Sequence, residues 1–128
     1  MEFVELKKIA QQTIAPRTTG RNCEVGHVAC ALLTMDNHVY TGVSLDLPCG
    51  IGFCAEHSAV AAMITAKESQ IRKIVAVYQD GSILAPCGRC RELLSQVDDN
   101  NLNCEILLTS GPVTLEKLLP TRWDENRY

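Results

Sequence analysis

The chain has 128 residues, 46% of them apolar, and a formal net charge of −3. That is the size of one ordinary domain, spanning 1–128, with enough apolar residues for a real core and no run long enough for a membrane span. The lysines and arginines are scattered rather than gathered on one basic face, which favours a small, weakly charged substrate over a polynucleotide.

The first residues, Met1 to Lys8, mix charged and apolar side chains and lack the basic-then-apolar layout of a signal peptide, so a cytoplasmic protein is the simplest expectation. Phe3, Leu6, Ile9, Ala10 and Ile14 recur at helical spacing, which predicts a helix over 2–14, ended by Pro16. Residues 17–26 are polar and read as a loop. Two short apolar segments, 27–34 and 38–45, flank the turn signal Asp36-Asn37 and read as an antiparallel hairpin. Pro48, Gly50 and Gly52 make 47–53 a loop. The alanine-rich stretch 54–67 predicts a buried helix. A β-branched strand over 74–78, a turn at Asp80-Gly81, a helix over 87–97, a strand over 104–109 and a short helix over 114–119 complete the chain. The order α-β-β-α-β-α-β-α predicts a mixed sheet with helices on its faces, with parallel pairing between the later strands.

Seven cysteines, an odd number in a chain without an export signal, argue against a disulfide framework. Three of them stand in two short segments, Cys54-Ala55-Glu56 and Pro86-Cys87-Gly88-Arg89-Cys90. The other four, Cys23, Cys30, Cys49 and Cys104, read as small buried hydrophobes. The two segments supply three thiolates and one carboxylate at the spacing of a catalytic zinc site, the pattern known from zinc nucleobase deaminases. Three protein ligands leave a coordination position for water, and a carboxylate that is not a ligand can move that water's proton.

Each half of the pattern falls where a helix begins. There the partial positive charge and unpaired N–H groups favour thiolate over thiol. Cys87 and Cys90, three residues apart, face the same way on one helical turn, and Cys54 approaches from the facing helix. Glu56, two residues past Cys54, turns toward the space beside the metal as a general acid–base. Three thiolates leave zinc with a net negative charge, and Arg89, Arg91 and His57 are candidate donors to the sulfurs. Two other readings stay open: a C-x-x-C redox pair, and a closed structural zinc site with a fourth ligand from His57, His27 or Cys49.

At these motifs the chain resembles the cytidine deaminase family, in its small single-domain type with three cysteines. Val28-Ala29-Cys30-Ala31-Leu32-Leu33-Thr34 with Asp36, Val39-Tyr40 and Gly42 resembles that family's first hairpin, and Thr114-Leu115-Glu116 with Leu118-Leu119-Pro120 its C-terminal element. Leu84 to Arg91 is also similar to blasticidin S deaminases within the family. The resemblance implies a three-layer α/β/α fold around a five-stranded mixed sheet, one strand more than the four read above. It also implies a zinc-dependent hydrolase of pyrimidine salvage and a homotetramer. In it Cys54, Cys87 and Cys90 bind zinc and Glu56 shuttles protons. The Ala55 N–H meets the pyrimidine 2-oxo group, and the Ala85 carbonyl accepts from the amine being lost. Ser44 and Asp46 stand where the family has Asn-x-Glu for the ribose hydroxyls.

The chain departs from the family at four places. Gly26 stands where an aromatic residue packs on the substrate, residues 47–52 replace an Asn-Ala-x-Tyr stretch, Ser44 and Asp46 are shorter than their counterparts, and His57 follows Glu56 where arginine is frequent. His27 reads either as a replacement aromatic face or as a hydrogen-bonded strand histidine. Trp123 reads either as a cap on a neighbouring site or as interface packing. The reading is a deaminase of a free cytidine- or deoxycytidine-type nucleoside. The alternatives are a blasticidin S-like antibiotic or another modified aminopyrimidine as substrate, a polynucleotide editor, and a structural-zinc interaction module.

Overall fold

The computed structural model describes residues 1–125; residues 126–128 of the expected domain lie outside the described residues. In chain order the elements are α1 (Phe3–Thr13), β1 (Arg17–Gly20), β2 (Cys23–Thr34), β3 (Val39–Asp46), α2 (Ala55–Thr65), β4 (Ile71–Tyr78), β5 (Ile83–Leu84), α3 (Gly88–Val97), β6 (Glu105–Leu108), β7 (Gly111–Thr114) and α4 (Leu115–Leu118). A 3-10 turn, Asp99–Asn103, follows α3.

The expected mixed sheet is present as β3–β2–β4–β6–β7, with β1 added beside β2 and β5 beside β4, so the strands number seven rather than five. The β4–β6 pair is parallel, joined through α3, as the crossover argument requires. The remaining pairs are antiparallel. β2 begins at Cys23, inside the expected 17–26 loop, and three strands are additional to the sequence expectation for physical reasons. β1 is exposed along its whole length, so it has no apolar alternation to read. β5 is only 2 residues long. β7 takes the first residue of the expected last helix, so α4 begins at Leu115 rather than Thr114.

Alternation along β2 and β4 builds two cores. Ala29, Ala31, Leu33, Val75 and Val77 face α1, where Leu6 and Ala10 are buried against them. Cys30, Leu32, Ile74 and Ile106 face the opposite way and pack against Ala59, Val60 and Met63 of α2, Leu94 of α3 and Leu115 of α4. The sheet is therefore the middle of three layers. Cys30 and Cys104 are buried in this second core, as small hydrophobes would be. Cys23 is only half-buried, and Cys49 departs further from that expectation: it is exposed, at φ 66°, in the loop before α2. Among the described residues no helix is long and apolar enough to cross a membrane.

Candidate active site

Helix α2 is pinned tightly across β3. A Cβ added at Gly42 would lie 2.3 Å from the Ala59 amide nitrogen, so this approach tolerates only glycine. Ser58 Oγ donates to the Val43 carbonyl at 2.7 Å and fixes the same contact one residue away. The tether sets where α2 begins, and α2 begins at the motif. Cys54 is its N-cap residue, and Cys87 holds the same position on α3. Neither side chain caps its own helix. Instead the sulfurs converge: Cys54 Sγ lies 3.5 Å from Cys87 Sγ, and Cys87 Sγ lies 3.5 Å from Cys90 Sγ.

That spacing suits zinc. Sulfurs about 2.3 Å from a tetrahedral zinc stand roughly 3.8 Å from each other. A second donor set overlaps the first: Cys54 Sγ, Cys90 Sγ and a His57 ring nitrogen lie within 4.8 Å of one another. Burial raises the pKa of Cys54, helped by the Cys87 thiol, and raises that of Cys90, helped by Glu56. Burial opposes the Cys87 thiolate too, but the Cys90 and Arg89 N–H groups and the neighbouring thiols outweigh it and lower its pKa. Crowded thiols of this kind lose their protons together when a divalent cation binds.

Of the three candidate side-chain donors, His57 alone reaches a sulfur among the described residues: its Nδ1 lies 3.5 Å from Cys90 Sγ. Its ring stacks on Phe53 with centroids 6.1 Å apart and an interplanar angle of 13°. Burial and the Arg89 charge lower its pKa. The arginines are used elsewhere. Arg89 Nη1 donates to the Gly52 carbonyl at 3.2 Å, tying the 47–53 loop to α3. Arg91 donates through Nε to the Pro86 carbonyl at 2.9 Å and through Nη1 to the Leu118 carbonyl at 3.1 Å. His27 and Cys49, the other possible fourth ligands, lie outside the donor cluster found among the described residues.

A cleft of about 740 Å³ opens over Cys54 and Cys87, and Glu56, Ala55, Ala85, Ser44 and Asp46 all line it. The structure thus gathers the sequence-predicted substrate residues around one space. Glu56, in the first turn of α2, is 5% exposed, and burial raises its pKa above the ordinary carboxylate value. A buried carboxylate with raised pKa beside a candidate metal cluster is suited to taking up and releasing a proton. Ser44 is placed differently from Asp46: it is 5% exposed and its Oγ accepts the Val28 N–H at 3.1 Å.

Gly26 has a firm structural reason. Its φ is +81°, and an added Cβ would lie 2.1 Å from the Ala15 carbonyl oxygen, so no aromatic side chain can be seated there. His27 lines the cleft instead, with Nδ1 3.9 Å from the Asp46 carboxylate. Trp123 lies apart from the cleft lining, with Nε1 donating to Glu92 at 3.1 Å. Phe53, Tyr78 and Glu24 also line the cleft, and sequence reasoning missed all three. Glu24 is signalled only by its register, directly across the ladder from Asp46.

A three-layer α/β/α domain with thiols at two helix starts and a buried glutamate beside them is the architecture of a zinc-dependent nucleobase deaminase. Comparison with known proteins agrees. Residues 4–106 match the family model described as the cytidine and deoxycytidylate deaminase zinc-binding region, and the chain belongs to that family. It is 35% identical over 68 residues to a cytidine deaminase of Mycobacterium tuberculosis, covering 52% of this chain and 51% of that one, so the match spans about half the length of that relative. It is 28% identical over 113 residues to the blasticidin-S deaminase of Bacillus cereus, covering 78% and 79% of the two chains. Among solved structures, the cytidine deaminase of Mycobacterium leprae superposes with a TM-score of 0.80 at 27% identity, over 94% of this chain and 99% of that one. The Mycobacterium tuberculosis cytidine deaminase structure gives 0.81 at 28% identity, over 96% and 98%. Both the family's zinc-binding region and the Cys54, His57 and Cys90 donor cluster fit Zn²⁺ as the cofactor.

Proposed function

We propose that this protein is a hydrolytic deaminase that converts the 4-amino group of a cytidine- or deoxycytidine-type nucleoside to a keto group and releases ammonia. The observation that carries the proposal is the buried Glu56 carboxylate lining one cleft with the thiols of Cys54 and Cys87. Cys54, Cys87 and Cys90 would hold the metal. When bound, zinc supplies the Lewis acidity that makes a water nucleophilic at neutral pH.

The chain's own groups do the rest. Glu56 takes one proton from the attacking water and passes it to the ring nitrogen beside the amine, then takes the second proton, from the hydroxyl newly formed on that carbon, and delivers it to the amine, which departs as ammonia. Ala55 is the first helical residue of α2, so its N–H has no partner within the helix and can donate to the pyrimidine 2-oxo group. The Ala85 carbonyl, on the cleft wall after β5, accepts from the amine being lost. Asp46 accepts from the sugar, and Ser44 lines the wall behind it. His57 donates to the Cys90 sulfur and offsets part of the thiolates' charge, with Phe53 holding its ring in plane.

We infer further that the chain works in the cytoplasm, in pyrimidine salvage, as a homotetramer. The family resemblance supports all three, and the exposed apolar Ile51 and Phe53 beside the cleft suit burial against a neighbouring subunit. The test is ammonia release from cytidine, deoxycytidine and blasticidin S by the zinc-loaded protein. Turnover of either cytosine nucleoside supports the proposal. Turnover of blasticidin S alone would reassign the substrate to a nucleoside antibiotic.

A further inference from the structure

We propose that Glu24 is a specificity-determining residue of the cleft: together with Asp46 it accepts hydroxyl donors of an unphosphorylated sugar and repels a sugar phosphate. The proposal rests on the deaminase reading above and deepens it. The family description covers both cytidine and deoxycytidylate chemistry, one substrate with a neutral sugar and one with a phosphate.

Glu24 and Asp46 are direct partners in the β2–β3 ladder, and both line the cleft. Carboxylates directly opposite each other across a ladder disfavour the strand pairing. Among the described residues neither is ion-paired with a lysine or arginine. His27 Nδ1 is 3.9 Å from Asp46, beyond hydrogen-bond reach, and is buried without a hydrogen-bond partner among the described residues. An ionised carboxylate only accepts hydrogen bonds. This wall is therefore two acceptors waiting for donors, and sugar hydroxyls are donors.

A phosphate brings the opposite chemistry: oxygens that accept and a charge of the same sign. It calls for arginine, lysine or free backbone N–H groups. Among the described residues lining the cleft, Arg89 is the cation, and it follows Cys87 at the start of α3 with Nη1 on the Gly52 carbonyl. Ser44, the position expected to share the sugar with Asp46, has its oxygen occupied by the Val28 N–H and is nearly buried. Glu24 supplies the second acceptor in its place, from the facing strand.

Steady-state kinetics of the zinc-loaded protein, of Glu24→Ala and of Glu24→Gln test this on cytidine, deoxycytidine and deoxycytidine 5′-monophosphate, with zinc content and circular dichroism measured on each variant. The wild type should favour the nucleosides over the monophosphate by about a hundredfold or more in kcat/KM. Glu24→Ala should raise the nucleoside KM about tenfold, the loss expected for one charge-assisted hydrogen bond, with kcat nearly unchanged. Glu24→Gln, equal in size and uncharged, should narrow the preference over the monophosphate. Equal turnover of the monophosphate by the wild type overturns the proposal. So does an unchanged KM and unchanged preference in both variants, an outcome that leaves the deaminase reading standing. No turnover of any of the three substrates would end both.

Discussion

Three thiols packed against one another at 3.5 Å gain little from being ionised alone, since burial and mutual repulsion work against charge on Cys54 and Cys90. The arrangement makes physical sense around a divalent cation. Two donor sets share Cys54 and Cys90 and differ in the third member, Cys87 or His57. Cys87→Ala is expected to lower bound zinc well below one per chain. His57→Ala is expected to keep near-stoichiometric zinc while weakening its affinity about 10–100-fold, the range for loss of an outer hydrogen bond to a ligand. Zinc content after dialysis against a graded chelator separates the two. Zinc loss in His57→Ala with retention in Cys87→Ala would make the histidine a ligand and Cys87 a bystander.

At this scale the sequence was most legible where chemistry and local structure coincide. Cys54, Glu56, Cys87 and Cys90 sit at helix starts, so spacing along the chain became proximity in space. Arg89 and Arg91 show where that reasoning stops. Both are next to metal-motif cysteines in sequence, yet backbone carbonyls of Gly52, Pro86 and Leu118 capture their guanidinium groups. Glu24 was hidden for another reason: its partner is 22 positions away in number but opposite in register.

The elements are held by specific contacts as well as by burial. Glu68, just beyond α2, accepts from Tyr40 Oη on β3 and pairs with His38 Nδ1 at 2.9 Å, clasping the hairpin to the helix end. The Tyr40 hydrogen bond, then that of Thr34, lowers the Glu68 pKa below its ordinary 4.5. A folded pKa below the unfolded one means that the clasp contributes its full stability above about pH 4.5 and loses it as pH falls through the folded value. Glu68→Gln should therefore be less stable than the wild type at pH 6–7. The gap should close in acid, as urea unfolding across pH can show. A gap that stayed constant down to pH 3 would contradict the clasp. This contact, like β1, β5 and β7, was not readable from the sequence. Short edge strands carry no alternation, and a clasp depends on which turn meets which helix. The long elements α1, α2 and α3 and the β2–β3 hairpin were readable because each buries a periodic apolar face.

At the scale of the whole molecule the metal cluster joins α2 to α3 across the cleft, so zinc is expected to act as a staple as well as a cofactor. Binding to the folded form alone adds about 4 kcal/mol at a thousandfold excess over Kd. Chelation should then lower the melting temperature by roughly 10 °C or more for a domain of this size. Differential scanning fluorimetry with and without chelator reads this directly, and an unchanged Tm would show that the cluster does not carry a tightly held ion. The two cores on either face of the sheet are built without the metal, so the apo chain is expected to stay folded and refilling with zinc to restore the original value.

The central claim is that Glu56 moves protons in a cleft built around a cysteine-held metal. The most direct measurement is ammonia release from cytidine and deoxycytidine by the wild type and by Glu56→Gln, with zinc content determined on the same samples. The expected result is nucleoside turnover by the wild type and a loss of about 10²–10⁴-fold or more in Glu56→Gln with zinc fully retained. Full activity in Glu56→Gln would contradict the account. So would a zinc-loaded wild type that deaminates no aminopyrimidine nucleoside while holding its metal through four protein ligands.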